Sequence, residues 1–226
     1  LIKIHKSKST LTLETNNNTI HTRSLINCGG LHSDLITKIS GTKRKSRIIP
    51  FRGEYFLLEG ESKELVKNLI YPLPDLNYPF LGVHFTRRIS GAIEAGPNAV
   101  LAWAREGYQK SDVKIKDIFD YLSFPGFWKM SKKHWRMGLS EYLRSFSKDL
   151  FLKSLQEYVP DVKKNDLRRA PSGVRAQALD KYGNLVDDFL IERSKNIINV
   201  INAPSPAATS CFAIGKYISK LNDQLL

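Results

Sequence analysis

Only two cysteines, Cys28 and Cys211, occur in 226 residues, with no Cys-x-x-Cys pair and no cluster of histidine with cysteine. That scarcity excludes a disulfide framework and a structural zinc site, and fits a reducing compartment. No apolar run approaches the roughly 20 residues of a membrane helix, and the start carries no signal-peptide pattern. The expectation is a cytoplasmic protein, at most peripheral to an inner membrane. Gly-x-Ser-x-Gly, the P-loop and His-Glu-x-x-His are missing, which removes hydrolase, kinase and zincin readings. Gly-x-Gly-x-x-Gly is missing as well.

Acidic residues are also short, 22 against 35 basic ones, for a net charge of +13. Such an excess favours an anionic partner: nucleic acid, a lipid surface or an acidic small molecule. The densest patch, "GTKRKSR" at 41–47, has no interleaved aromatic residues and reads as a solvated loop, so nucleic acid is not expected. What is plentiful is core material. With 42% hydrophobic and 10% aromatic residues, the chain can fill one large domain or two small ones.

Along the chain, "LIKIH", "TLTLET" and "SLIN" read as a three-stranded meander, with the turn-forming asparagines at 16–18 between the second and third. The third strand runs into Cys28-Gly29-Gly30 and a short helix, with Ser33 as its expected N-cap and Gly41 as its stop. Residues 47–96 ("RIIPFRGEYFLL", "NLIYPLP", "FLGVHFT", "GAIEAG") predict a mostly antiparallel sheet, while "AVLAWARE" fits helix or strand. From 115 to 159 the period turns helical, with breaks expected at Pro125-Gly126, near Gly138 and at Ser145–Ser147, and closure at Pro160. The aromatic run "FPGFWKMSKKHWRM" reads as core plus snorkelling lysine and arginine. Strands return in "GVRAQALD", "DDFLIER" and "NIINVIN", before a helix expected over Pro206 to Leu221. The fold class is therefore α+β.

Several residues invite chemistry. In "FLGVHFTRR", alternation sets Leu81, Val83 and Phe85 on one face and Gly82, His84 and Thr86 on the other, so His84 shares its face with a glycine where a ligand has room. A half-buried sheet histidine is the alternative. Arg52 in "FRGEY" and Arg175 in "GVRAQ" stand beside small residues, where a guanidinium can grip a carboxylate or make an ordinary salt bridge. Tyr71 offers a hydroxyl at a strand end. Gly29-Gly30 and the small residues of "NAPSPAATS" suit either a backbone approached by a ligand or tight packing turns.

Taken in order, "INCGGLHSD", "IIPFRGEYF", "YPLPDLNYPFLGVHFTR", "GPNAVLAWAREGY", "KHWRMGLSE", "GVRAQALD", "LVDDFLIE" and "NAPSPAATSCFAIG" resemble the L-2-hydroxyglutarate oxidases and dehydrogenases from about residue 22 onward. These are FAD-dependent oxidoreductases similar to D-amino-acid and sarcosine oxidases. The resemblance implies oxidation of L-2-hydroxyglutarate to 2-oxoglutarate, with FAD as cofactor and oxygen or a quinone as electron acceptor. It implies His84 as base, Arg52, Tyr71 and Arg175 as contacts of a small dicarboxylate, and Gly29, Gly30, Ser205, Pro206, Ala207 and Ala208 beside the cofactor. It divides the chain into a remnant of an FAD-binding domain (1–45), a substrate domain built on the antiparallel sheet and helical block (46–165), and a return to the FAD domain (166–226). Because Leu1 opens in mid-pattern and the glycine fingerprint is missing, the chain reads as a fragment that alone holds FAD weakly. The alternatives are a cofactor-free interaction module and an oxidase of a related 2-hydroxy or amino acid.

Overall fold

The computed structural model describes residues 1–73 and 82–224. The chain divides into two compact units, one of Leu1–Ile49, Tyr121–Trp128 and Ala176–Leu226, the other of Pro50–Asp120 and Lys129–Arg175.

In the first unit, β1 (Lys3–Lys6), β2 (Leu11–Glu14) and β3 (Thr19–Thr22) form an antiparallel meander. Leu11 and Leu13 alternate inward and pack with Ile4, Leu25 and Ile197. The segment "SLIN", expected as the third meander strand, instead forms β4 (Leu25–Asn27) in another sheet. There β11 (Ile197–Asn202) pairs in parallel with β4 and antiparallel with β10 (Leu190–Ser194). All six residues of β11 are buried, and an apolar strand of that kind needs a neighbour along both edges.

After β4 comes α1 (Ser33–Ile39), which stops as expected at Gly41: this residue adopts φ +70°, its N–H donates to the Lys38 carbonyl at 3.0 Å, and Thr42 N–H donates to the Thr37 carbonyl at 3.2 Å. Ser33 does not cap. Its hydroxyl donates to the Ile201 carbonyl at 3.1 Å and ties the helix start to β11. The last helix, α5 (Cys211–Asp223), begins later than expected, because 205–210 form turns in which Ser210 N–H donates to the Pro206 carbonyl at 3.1 Å. Ile218 and Leu221 of α5 pack on Ile198 and Val200.

The second unit is built on the strand path β6 (His84–Arg87), β7 (Ile93–Gly96), β5 (Ser46–Leu58), β8 (Val100–Leu101), with β9 (Leu167–Asp180) also pairing β5. β5 and β9 each continue from one unit into the other. "AVLAWARE" thus yields a short strand, and among the described residues of "NLIYPLP" there is only an isolated bridge from Ile70 to Phe85. Leu81 lies outside the described residues.

One sheet face supplies Phe56, Leu58, Val83, Phe85, Ile93 and Ala95 to a core closed by Phe151 and Leu155 of α4 (Lys148–Gln156). Those two helical residues are four apart and so share a face. Ser147 caps α4 by accepting from Leu150 N–H at 3.3 Å. Ahead of it lie α2 (Ile115–Leu122) and α3 (Pro125–Phe146). α3 passes through Gly138 unbroken and is interrupted at His134 instead, where φ is −117°. Of its aromatic run, Phe124, Phe127 and Met130 are buried, while Trp128 and Trp135 face solvent.

Candidate functional site

Register turns the sheet of the second unit into a grid. His84 pairs with Gly96, while Phe56 and Leu57 pair with Ala95 and Glu94, so Tyr55 follows next to Gly96. One row is therefore His84, Gly96, Tyr55, and its neighbour on the same face is Thr86, Glu94, Leu57. The intervening row of Phe85, Ala95 and Phe56 points into the core. Gly96 has φ +139°, and a Cβ there would stand 2.7 Å from the Glu54 carbonyl oxygen and 3.1 Å from Tyr55 Cδ1. No side chain fits, and a bare strip separates the imidazole from the phenol.

His84 Nδ1 lies 3.1 Å from the Gly82 carbonyl oxygen. A carbonyl only accepts, so Nδ1 carries the proton, and in the neutral ring Nε2 presents a lone pair. Burial lowers the His84 pKa; the Gly82 carbonyl opposes that shift and the Arg175 charge adds to it. The neutral, proton-accepting form is thereby favoured. Tyr71 stacks on the imidazole with centroids 4.1 Å apart and planes inclined at 17°, and its hydroxyl lies 3.2 Å from Thr86 Oγ1.

Tyr55 and Arg175 complete this face. Burial raises the Tyr55 pKa and keeps the phenol protonated, against the pull of Arg175. Arg175 retains an exposed surface, yet the protein packed around its guanidinium lowers its pKa, with Tyr55 opposing. The structure thus brings His84, Tyr71 and Arg175 into one neighbourhood.

Arg52 lies on the opposite face of β5, 3% exposed. Its Nε and Nη2 donate to Glu54 Oε1 at 3.2 and 3.1 Å, and its Nη1 to the Gln109 carbonyl at 3.1 Å. Glu54 also accepts from Ser145 Oγ at 2.9 Å and from Asn98 Nδ2 at 3.2 Å. This is a closed polar network that holds β5 to its surroundings, and the guanidinium is spent within it. Nearby, burial pushes the Tyr142 phenol up to about 12, with Arg52 pulling down and Glu54 pushing up, while its hydroxyl donates to the Leu101 carbonyl at 2.8 Å.

In the first unit, β4 and β11 run in parallel, so the Gly29-Gly30 turn and the 205–210 turns leave the carboxyl ends of adjacent parallel strands. Ligands of open α/β sheets seat at such ends. Gly29 answers to packing, since a Cβ would meet Ile36 Cδ1 at 2.6 Å. Gly30 has φ +52° and open space where a Cβ would stand. Beneath them, Asn27 Nδ2 donates to Asn199 Oδ1 at 2.9 Å and to the Ser33 carbonyl at 2.8 Å, fixing both strand ends. Ser205, Pro206 and Ala208 are exposed, and Ala207 N–H donates to the Pro204 carbonyl at 3.0 Å. Part of the basic patch is spent internally, for Arg44 Nη1 pairs with buried Asp34 at 3.2 Å.

Sequence reasoning passed over Tyr55, Gly96 and Thr86. Thr86 and His84 share a face by alternation alone, but Gly96 and Tyr55 join them only through strand pairing. Among the described residues, no group of three or more His, Cys, Asp or Glu is placed to hold a metal ion.

Taken along its length, the chain matches a known class of fold. L-alpha-glycerophosphate oxidase of Mycoplasma pneumoniae, solved with FAD bound, superposes with a TM-score of 0.66 over 98% of this chain and 49% of its own, at 16% identity. Glycerol-3-phosphate dehydrogenase of Bacillus halodurans, complexed with FAD, gives 0.54 over 96% of this chain and 37% of its own, at 10% identity. The fold is that of FAD-binding oxidoreductases.

The family model described as FAD dependent oxidoreductase matches residues 2–221, and the chain belongs to that family. It is 50% identical over 216 residues to L-2-hydroxyglutarate dehydrogenase of Indibacter alkaliphilus, covering 95% of this chain and 54% of the relative. The human mitochondrial L-2-hydroxyglutarate dehydrogenase is 44% identical over 205 residues, 88% of this chain and 44% of its own length. The chain spans about half the length of the curated relatives it matches.

Proposed function

We propose that the chain supplies the substrate sheet and part of the FAD seat of an enzyme oxidising L-2-hydroxyglutarate to 2-oxoglutarate. The observation that carries this reading is His84: its Nδ1–H is committed to Gly82, its Nε2 is left as acceptor, and a bare glycine strip lies beside it. FAD, when bound, supplies the acceptor for the hydride leaving C2. Nε2 takes the proton of the C2 hydroxyl, a transfer that the lowered pKa keeps available near neutral pH. Arg175 holds a substrate carboxylate, and Tyr71 keeps the imidazole in plane by stacking while its hydroxyl and Thr86 offer further hydrogen bonds. Arg52, spent on Glu54 on the opposite face of β5, takes no part in this reading.

Gly29, Gly30, Ser205, Pro206, Ala207 and Ala208 are the residues that would hold FAD, supported by the open space at Gly30 and the exposed turns at the carboxyl ends of β4 and β11. Without a glycine fingerprint, the 226-residue chain alone is expected to retain FAD weakly. The electron acceptor for bound FAD would be oxygen or a quinone, the latter with peripheral contact at a membrane; no described helix is long and apolar enough to cross one.

The test is flavin reduction in single turnover by the FAD-loaded protein. His84→Asn should slow it by roughly 10²–10⁴-fold, as loss of a general base does. An unchanged rate would overturn the assignment.

A further inference from the structure

A substrate with a carboxylate at each end asks for two cations, and Arg52, turned into the core, is not available as the second. The site face offers another. Arg88 follows β6 in a tight turn, with its N–H donating to the Ala92 carbonyl at 2.8 Å and Gly91 N–H donating to the Arg88 carbonyl at 2.8 Å. Its Nη2 lies 2.7 Å from Glu94 Oε2, with the arginine side chain 60% exposed and the glutamate 13%.

Glu94 stands in the Thr86 row, two residues and about 7 Å along the strands from the row of His84, Gly96 and Tyr55. Tyr55 interacts electrostatically with Arg175, Glu94, Arg88 and Tyr71, so both guanidinium groups act on its phenol. A guanidinium has five N–H donors, and an exposed arginine with one carboxylate partner keeps donors for another. Glu94 parks Arg88 over the face without exhausting it.

We infer that Arg88, held by Glu94, anchors the far carboxylate of a five-carbon dicarboxylate while Arg175 takes the carboxylate beside C2. Tyr55 lines the stretch between them and donates its phenol hydrogen to the nearer carboxylate. This assignment rests on the dicarboxylate reading above and adds the residue that selects the second charge.

The experiment is an NMR titration of the ¹⁵N-labelled chain with glutarate and, separately, with pentanoate, following the His84 and Gly96 signals. The wild type should bind glutarate about tenfold more tightly than pentanoate, the factor expected of one charge-assisted contact. Arg88→Gln should bring the two acids within about twofold by weakening glutarate alone, and Arg88→Lys should restore part of the preference; Arg175→Met should weaken both. A glutarate preference that survives Arg88→Gln, with Arg175→Met still losing both acids, overturns the assignment of Arg88 and leaves the dicarboxylate reading standing. Glutarate that binds without moving the His84 or Gly96 signals overturns the reading itself.

Discussion

The two faces of the β6-β7-β5 sheet use the same strands and neighbouring rows, yet they meet opposite fates. On one, Phe85, Ala95 and Phe56 are almost wholly removed from water, and even the polar pair Arg52 and Glu54 spends its donors and acceptors internally. On the other, His84 gives its Nδ1–H to the Gly82 carbonyl, which leaves Nε2 as the ring's acceptor, and Gly96 adds no side chain beside it. A closed face contributes stability because polar groups such as Arg52 and Glu54 are satisfied within it. An open face contributes chemistry because some groups are not.

Breaking the closed face should have the largest effect. Phe85→Ala removes a fully buried ring and is expected to cost about 3–5 kcal/mol in a denaturant titration. Arg52→Ala leaves the buried Glu54 carboxylate to Lys110 at 3.7 Å, Ser145 and Asn98, at a cost of about 1–3 kcal/mol. If that variant unfolds at the wild-type midpoint, the buried network is not structural. Gly96→Ala tests the boundary between the faces: a Cβ 2.7 Å from a backbone oxygen at φ +139° should cost about 1–3 kcal/mol and disturb the pairing that sets Tyr55 beside His84.

On the open face the effect on stability is smaller and depends on pH. Burial holds the folded His84 pKa below its ordinary value of 6.5, so the unfolded state binds this proton more readily. The penalty is absent above pH 6.5, and stability is lost as pH falls from there through the folded pKa. An NMR titration of the imidazole should show its midpoint below 6.5; a midpoint above it would contradict the burial argument. Smallest of all, Lys43→Gln in the exposed part of the basic patch should move the unfolding midpoint by no more than about 0.5 kcal/mol equivalent.

Local chemistry carried some features straight from sequence to structure. Gly41 stops α1 because a left-handed residue is needed there and glycine has no Cβ to oppose it. Val83 and Phe85 bury while His84 and Thr86 do not, since strand side chains alternate whatever the partner strand. The same alternation within "FRGEYFLL" already separates Arg52 from Tyr55, but nothing local says which of the two faces is covered.

What residue order alone determined was therefore each strand's pair of faces, the glycine punctuation of its turns and a family resemblance that the comparisons bear out. Tertiary structure decided which face closed, that Leu25–Asn27 left the meander for β11, and that Gly96 and Tyr55 stand beside His84. The reason is physical. Alternation is a property of one strand's own backbone, whereas register and burial belong to pairs of segments far apart in the chain, and form only when those segments meet.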